Sequence, residues 1–219
     1  MAFVAALVIV FAAVVAAGLS SEVSGSQNTV TVTSTAAGSP GAATAQNSSS
    51  PYELTLVITP NSAWNSTNTA PQFWVVTPTG LVSSANISLP AHRLIQLTVE
   101  DLDTGNDPLP AQYSQVTGTV GNTEMMMNLT AASQNPTNSS NYSVVSSLDA
   151  QGQVSHTFTI PQLGINIPSP AQSVEVVDFT INQTGVFPWQ CMDPCGFGPS
   201  GWLGPMSSAG WMQGSVTVT

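Results

Sequence analysis

The chain of 219 residues has no lysine and a single arginine, Arg93, against 11 aspartates and glutamates, for a formal net charge of -10. Gripping phosphate takes cationic side chains, so this scarcity excludes nucleic acid as a partner. It also excludes P-loop chemistry, which needs a lysine to reach a phosphate. Two histidines and two cysteines are too few for zinc fingers and most multi-ligand metal clusters. They support no Ser-His-Asp arrangement, and no lysine is available as a base. Charged residues make up 5% of the chain and hydrophobic ones 42%, where soluble domains usually carry ~25% charged residues. The length suffices for one domain with a sizeable core plus additional segments.

What is present begins with an apolar run. Residues 1–19, MAFVAALVIVFAAVVAAGL, hold no charged side chain. As a helix the run reaches about 28 Å, close to the ~30 Å hydrocarbon thickness of a bilayer. It lacks the leading positive charge and short apolar core of a cleaved signal peptide, and it shows no amphipathic face. A transmembrane anchor in a lipid bilayer is therefore expected. Residues 20–51, rich in Ser, Thr, Ala and Gly, offer little to bury and predict a flexible tether. Seven Asn-x-Ser/Thr sequons stand at Asn47, Asn65, Asn86, Asn128, Asn138, Asn141 and Asn182. In so uncharged a chain they predict a glycoprotein whose sugars replace charge as the source of solubility. A surface poor in carboxylates changes its charge little in acid. The expected setting is a single-pass protein of the cell membrane with its domain facing the exterior, in an acid-living archaeon.

From residue 52 to 219 the pattern changes to period two. Tyr52–Thr59, Gln72–Pro78, Arg93–Glu100, Tyr113–Gly121, Val154–Pro161, Ser173–Ile181 and Gly214–Thr219 read as strands. Gly and Pro punctuate them at short spacing, and no sustained helical period follows Leu19. An all-β antiparallel sandwich or barrel is predicted. Asn135–Ser143 reads as a polar loop, and no internal repeat is visible.

The chemistry is concentrated in the last third. One part is a His-x-Phe-x-x-Pro-x-Leu-Gly strand (His156, Phe158, Pro161, Leu163, Gly164). A Cys-x3-Cys-Gly turn follows (Cys191, Cys195, Gly196), and then Met212 leads into the final strand. These residues resemble the copper-binding half of cupredoxins, most closely subunit II of cytochrome c oxidases, over roughly Leu89–Thr219. The 35 residues from His156 to Cys191 match the family's separation. The resemblance implies a cupredoxin-like Greek-key β-sandwich in which His156 is the first histidine ligand and Cys191 and Cys195 are bridging thiolates. It also implies that Asp193 contributes a backbone carbonyl and that Met212 is the weak methionine ligand. Thiolate, imidazole and thioether are the soft set that suits copper passing between Cu(I) and Cu(II).

One family position is missing. The second histidine would fall at Ala209 or Pro199, and the loop there is lengthened. The other histidine, His92, begins a strand whose eight residues place it about 26 Å from the far end. A complete binuclear purple copper site is therefore not expected. Three readings of the cysteine pair stay open. One is mononuclear copper with His156 and either Met206 or Met212. Another is a Cys191–Cys195 disulfide. The last is a degenerate binuclear site completed by a partner or a backbone oxygen.

Weaker candidates are Met125–Met127, read as core or interface filling, and Glu100–Asp107, read as a solvated turn in preference to a calcium loop. Trp189, Trp202 and Trp211 flank the cysteine loop as a docking face or as lid packing. The expected role is electron transfer as a non-catalytic, subunit II-like component of a respiratory terminal oxidase. Its partners would be polytopic membrane subunits and a redox protein donor. The alternatives are a metal-free structural subunit and a glycosylated pilin-type filament subunit. Intact-mass measurement of the mature protein checks the sugar expectation: the mass exceeds the 22.6 kDa of the bare chain by whole glycans.

Overall fold

The computed structural model describes residues 50–105, 107–134 and 139–219. The expected anchor (1–19), nearly all of the tether (20–51), the first part of the polar loop (135–138) and the sequons Asn47 and Asn138 lie outside them. Among the described residues no helix is long and apolar enough to cross a membrane. The described sequons Asn65, Asn86, Asn128 and Asn182 are exposed and Asn141 is half-buried.

Among the described residues, twelve strands form two sheets. In chain order they are β1 (Tyr52–Ala63), β2 (Thr69–Thr77), β3 (Gly80–Ser83), β4 (Asn86–Leu89), β5 (Leu94–Asp101) and β6 (Glu124–Asn128). There follow β7 (Ser143–Val145), β8 (Val154–Ile160), β9 (Ile165–Pro170), β10 (Ser173–Thr180), β11 (Gly185–Gln190) and β12 (Gln213–Val218). The first sheet runs β3-β2-β1-β5-β10-β6-β7 and the second β4-β12-β11-β8-β9. One six-residue helix, α1 (Leu129–Gln134), follows β6. The expectation of a mainly β sandwich holds. Most neighbours are antiparallel, but β1 pairs parallel with β5 and β12 parallel with β4.

Two inner stripes make the main core. Ile95, Leu97 and Val99 on β5 and Val177 and Phe179 on β10 face Phe158 and Ile160 on β8 and Ile165 and Ile167 on β9. All point inward by strict alternation along their strands. Phe73 and Phe158 hold Trp189 between them, at centroid distances of 5.2 and 5.3 Å. Burial of these side chains contributes roughly 1.5–3 kcal/mol each.

Toward one end the same stripes turn polar. Beyond Val99 comes Asp101, which is paired with Ser173, and Glu175 lies next along β10. Beyond Phe158 comes His156, paired with Ser169. The ladder slips between Val154 and His156. Ser155 is therefore an extra residue, a bulge that re-aims the strand where the polar end begins.

Some sequence expectations give way. Tyr113–Gly121 is not a strand: Ala111–Ser114 is a 3₁₀ turn, and only Gln115 and Thr117 make isolated bridges. Gly118 and Gly121 have φ of +73°, which breaks extended backbone. Glu100–Asp107 is not a solvated turn throughout, because Glu100 and Asp101 are buried. The strands β9 and β11 carry prolines that argue against strand in a sequence. Pro168 and Pro170 lie on the edge strand β9, and β11 meets β8 only at Gln190. A missing N–H is tolerated at such places. Of Met125–Met127, two fill core as expected: Met127 packs with Ala132 and Val174, and Met126 against Leu109, Leu148 and Val154.

The polar end holds carboxyl groups without cations. Glu124 is buried with neither carboxyl oxygen bonded, and Glu100 Oε1 and Asp101 Oδ2 are also unpartnered. Glu175 accepts hydrogen bonds from Ser169 and Ser173. Arg93 is elsewhere, donating to the carbonyls of Ser50 and Pro51. Burial raises Glu100 and Asp101 to about 7 and Glu124 to about 8. Glu175 is also raised well above the usual carboxylate range, by burial and then by Glu124. Raised folded-state values mean that the native protein keeps protons which the unfolded chain releases. The contribution of these groups to stability is then greatest below about pH 4 and falls as pH rises toward 8, by a few kcal/mol for each of Glu100, Asp101 and Glu124. Denaturation midpoints across this range check the sign, and Glu124→Gln flattens the curve.

Candidate metal centre

The polar end is where three chain segments bring their donors together. The bulged β8 supplies His156, the residue after β11 supplies Cys191, and the turn beyond it supplies Cys195. His156 Nδ1 lies 2.9 Å from Cys195 Sγ and 3.9 Å from Cys191 Sγ, and the two sulfurs are 3.6 Å apart as free thiols. Among the described residues this is the one convergence of at least three such side chains. The centre of that triangle is about 2 Å from each corner, in the range of metal bonds to imidazole nitrogen and thiolate sulfur (~2.0–2.3 Å). The donor set and spacing fit a single soft ion.

Local structure explains the convergence. The Cys191 N–H donates to Met212 O at 2.8 Å, so the segment entering β12 holds the first cysteine in place. Cys195 N–H donates to Asp193 O at 2.8 Å, closing the turn. At Gly196 a Cβ would come 2.1 Å from Leu203 O, so no other residue fits there. The bulge leaves Ser155 O 3.6 Å from Cys195 Sγ.

Other candidates fall as follows. Met206 and Met212 are buried in the main core with Cys191. Asp193 O is 3.7 Å from Cys191 Sγ, and its Oδ2 is 3.6 Å from Cys195 Sγ. His92 is exposed at a turn, its N–H donating to Ile181 O. The three tryptophans do not form one face. Trp189 is core, Trp211 packs edge-on against Trp64 at 4.8 Å, and Trp202 is exposed beside Phe197 and Leu203.

Sequence reasoning missed Asp103. Its Oδ2 lies 3.1 Å from His156 Nε2, on the side of the ring away from the sulfurs. The readable signal was parity: residues 95, 97 and 99 point inward, so Asp101 continues the stripe and carries Asp103 to the centre.

The charges here are interdependent. Burial acts to lower His156, but the charge of Asp101, the bond to Asp103 and Cys191 outweigh it and hold the imidazole well above its ordinary range. Burial acts to raise Cys191. It is nevertheless held well below the usual thiol range by bonds from Cys195 and His156 and by the Thr157 N–H at 3.4 Å. Burial and the Cys191 charge push Cys195 up. Without metal the pair therefore shares one negative charge against an imidazolium. Asp193 is raised to about 7 by burial and by Cys191, while His156 lowers Asp103.

No family model matches the chain, and no curated protein matches it. Solved structures similar to it include the periplasmic domain of subunit II of cytochrome oxidase (CoxB) of Bradyrhizobium japonicum. That pair shares 14% identity over 76% of this chain and 83% of the other, with a TM-score of 0.33. Auracyanin B shares 15% over 79% and 92%, with a TM-score of 0.31. Reduced rusticyanin shares 11% over 76% and 78%, with a TM-score of 0.30.

Removing the imidazole tests the shared charge. In metal-free His156→Ala the Cys191 thiol ionises at higher pH than in the parent, measured by thiolate ultraviolet absorbance during titration.

Proposed function

We propose that the chain is a cupredoxin-like electron carrier that holds one copper ion between His156, Cys191 and Cys195. It would serve as a membrane-anchored, subunit II-like component beside a respiratory terminal oxidase. The observation that carries this reading is the His156 Nδ1, Cys191 Sγ and Cys195 Sγ triangle with edges of 2.9, 3.6 and 3.9 Å. Bound copper would supply one-electron chemistry by passing between Cu(I) and Cu(II). The chain's own part is to hold three donors still in a β-sheet framework and to keep water from the buried pair His156 and Cys191. No substrate bond is made or broken, so the subunit itself is non-catalytic.

One ion is favoured over two because the positions for a second imidazole are Ala209 and Pro199. Cys195 is the more open of the two cysteines. Gly196 follows it and leads into a loop that exposes Phe197, Trp202 and Leu203. A redox donor approaching here meets apolar surface, so its association depends weakly on salt. The N-terminal apolar run supports membrane anchoring, and the sequons support an exterior-facing, glycosylated domain.

Metal analysis with visible absorption spectroscopy tests the reading. The expected result is one copper per chain with a thiolate-to-copper charge-transfer band, lost in Cys191→Ser. Two coppers would point to the degenerate binuclear site. One colourless zinc would make this a zinc centre held by two thiolates and one imidazole. Metal-free protein without free thiols would make Cys191–Cys195 a disulfide in a structural subunit.

A further inference from the structure

We propose that Asp103 is the positioning residue of the centre, gripping His156 through Nε2 so that Nδ1 alone is presented to the two sulfurs. The inference rests on the copper reading and assigns a role to a residue outside the ligand set.

His156 is buried at 2% exposure, with Asp103 Oδ2 3.1 Å from Nε2 and Cys195 Sγ 2.9 Å from Nδ1. Phe73 meets the ring edge-on, at 6.0 Å between centroids and 74° between planes. A ring flip about its Cβ–Cγ bond would break both polar contacts at once.

Asp103 is itself held. Its Oδ1 accepts the N–H groups of Thr104 at 2.7 Å and Gly105 at 3.3 Å, and its own N–H donates to Asp101 Oδ1 at 2.8 Å. Gln172, in the turn between β9 and β10 with φ of +55°, latches the segment from the other side. Its Nε2 donates to Leu102 O at 2.6 Å and to Asp103 O at 3.1 Å, and its N–H donates to Asp103 O at 3.1 Å. Backbone and carboxylate of Asp103 are thus both fixed before the imidazole is reached.

A carboxylate on the outer nitrogen of a ligating imidazole fixes which nitrogen faces the metal and makes the ring a stronger donor. With no lysine in the chain and Arg93 bound to Ser50 and Pro51, no other permanently charged cation is free to neutralise Asp103. Its charge acts on the centre through His156 and favours the more highly charged state of the bound ion.

Two variants separate aiming from charge, with Cu(I) delivered from a competing chelator as the probe. Asp103→Ala weakens Cu(I) binding by ~10–100-fold and raises the midpoint potential. Asp103→Asn still accepts from Nε2, so it binds within a few-fold of the parent, yet its potential also rises. A metal-free readout stands beside these. The His156 Nε2–H proton resonance exchanges slowly in the parent and in Asp103→Asn, and is lost in Asp103→Ala. If Asp103→Ala fails to fold, an unchanged potential in Asp103→Asn overturns the proposal. So does a folded Asp103→Ala that keeps the parent's affinity and its slow Nε2–H. Should the parent bind no copper, the functional reading falls, and the Nε2–H resonance in the two proteins still decides the role of Asp103.

Discussion

A buried imidazole that bridges a sulfur and a carboxylate organises one whole end of this sandwich. His156 has both ring nitrogens engaged, Nδ1 toward Cys195 and Nε2 toward Asp103. Removing either neighbour leaves a polar nitrogen stranded where water cannot reach it, at a cost of about 1–3 kcal/mol. The bulge at Ser155, the turn closed through Gly196 and the latch from Gln172 all bring partners to this one ring. The apolar stripes behind it supply the rigidity, and the centre is what interrupts them.

That arrangement has an electrostatic counterpart. Most proteins balance buried carboxylates with arginine or lysine, and this chain has almost none to give. Its solution is protonation: Glu100, Asp101, Glu124 and Asp193 are all raised toward or past neutrality. Asp103 alone among the buried or half-buried acids here is lowered, because it alone is hydrogen-bonded to His156. The centre favours the charged form of one carboxylate, while burial favours the protonated form of its neighbours.

Much of the fold was legible in the sequence, because apolar and polar residues alternating over six or more positions bury one face only when the chain is extended. β1, β5, β8, β10 and β12 announced themselves that way. β9 and β11 did not, since their prolines are tolerated only by positions that the sequence does not reveal: an edge, and a strand barely paired on one side. Tyr113–Gly121 misled in the opposite sense, alternating like a strand while its glycines turned it. The histidine and the two cysteines were legible through the resemblance of their segments to the copper-binding half of cupredoxins. Asp103 was not, because it is 53 residues from His156 and sits in a run of acids that resembles a solvent-facing turn. Its place follows from the inward parity of β5, a signal that requires knowing where that strand ends.

The one arginine has a geometric consequence. Arg93 clamps Ser50 and Pro51 at the start of β1, and β1 runs parallel to β5 from that point up to Asp101. Polypeptide therefore joins the sandwich at its base, about 26 Å of strand below the end that carries the candidate centre. The entry of the chain and the convergence of His156, Cys191 and Cys195 thus occupy opposite ends of the β5 strand direction.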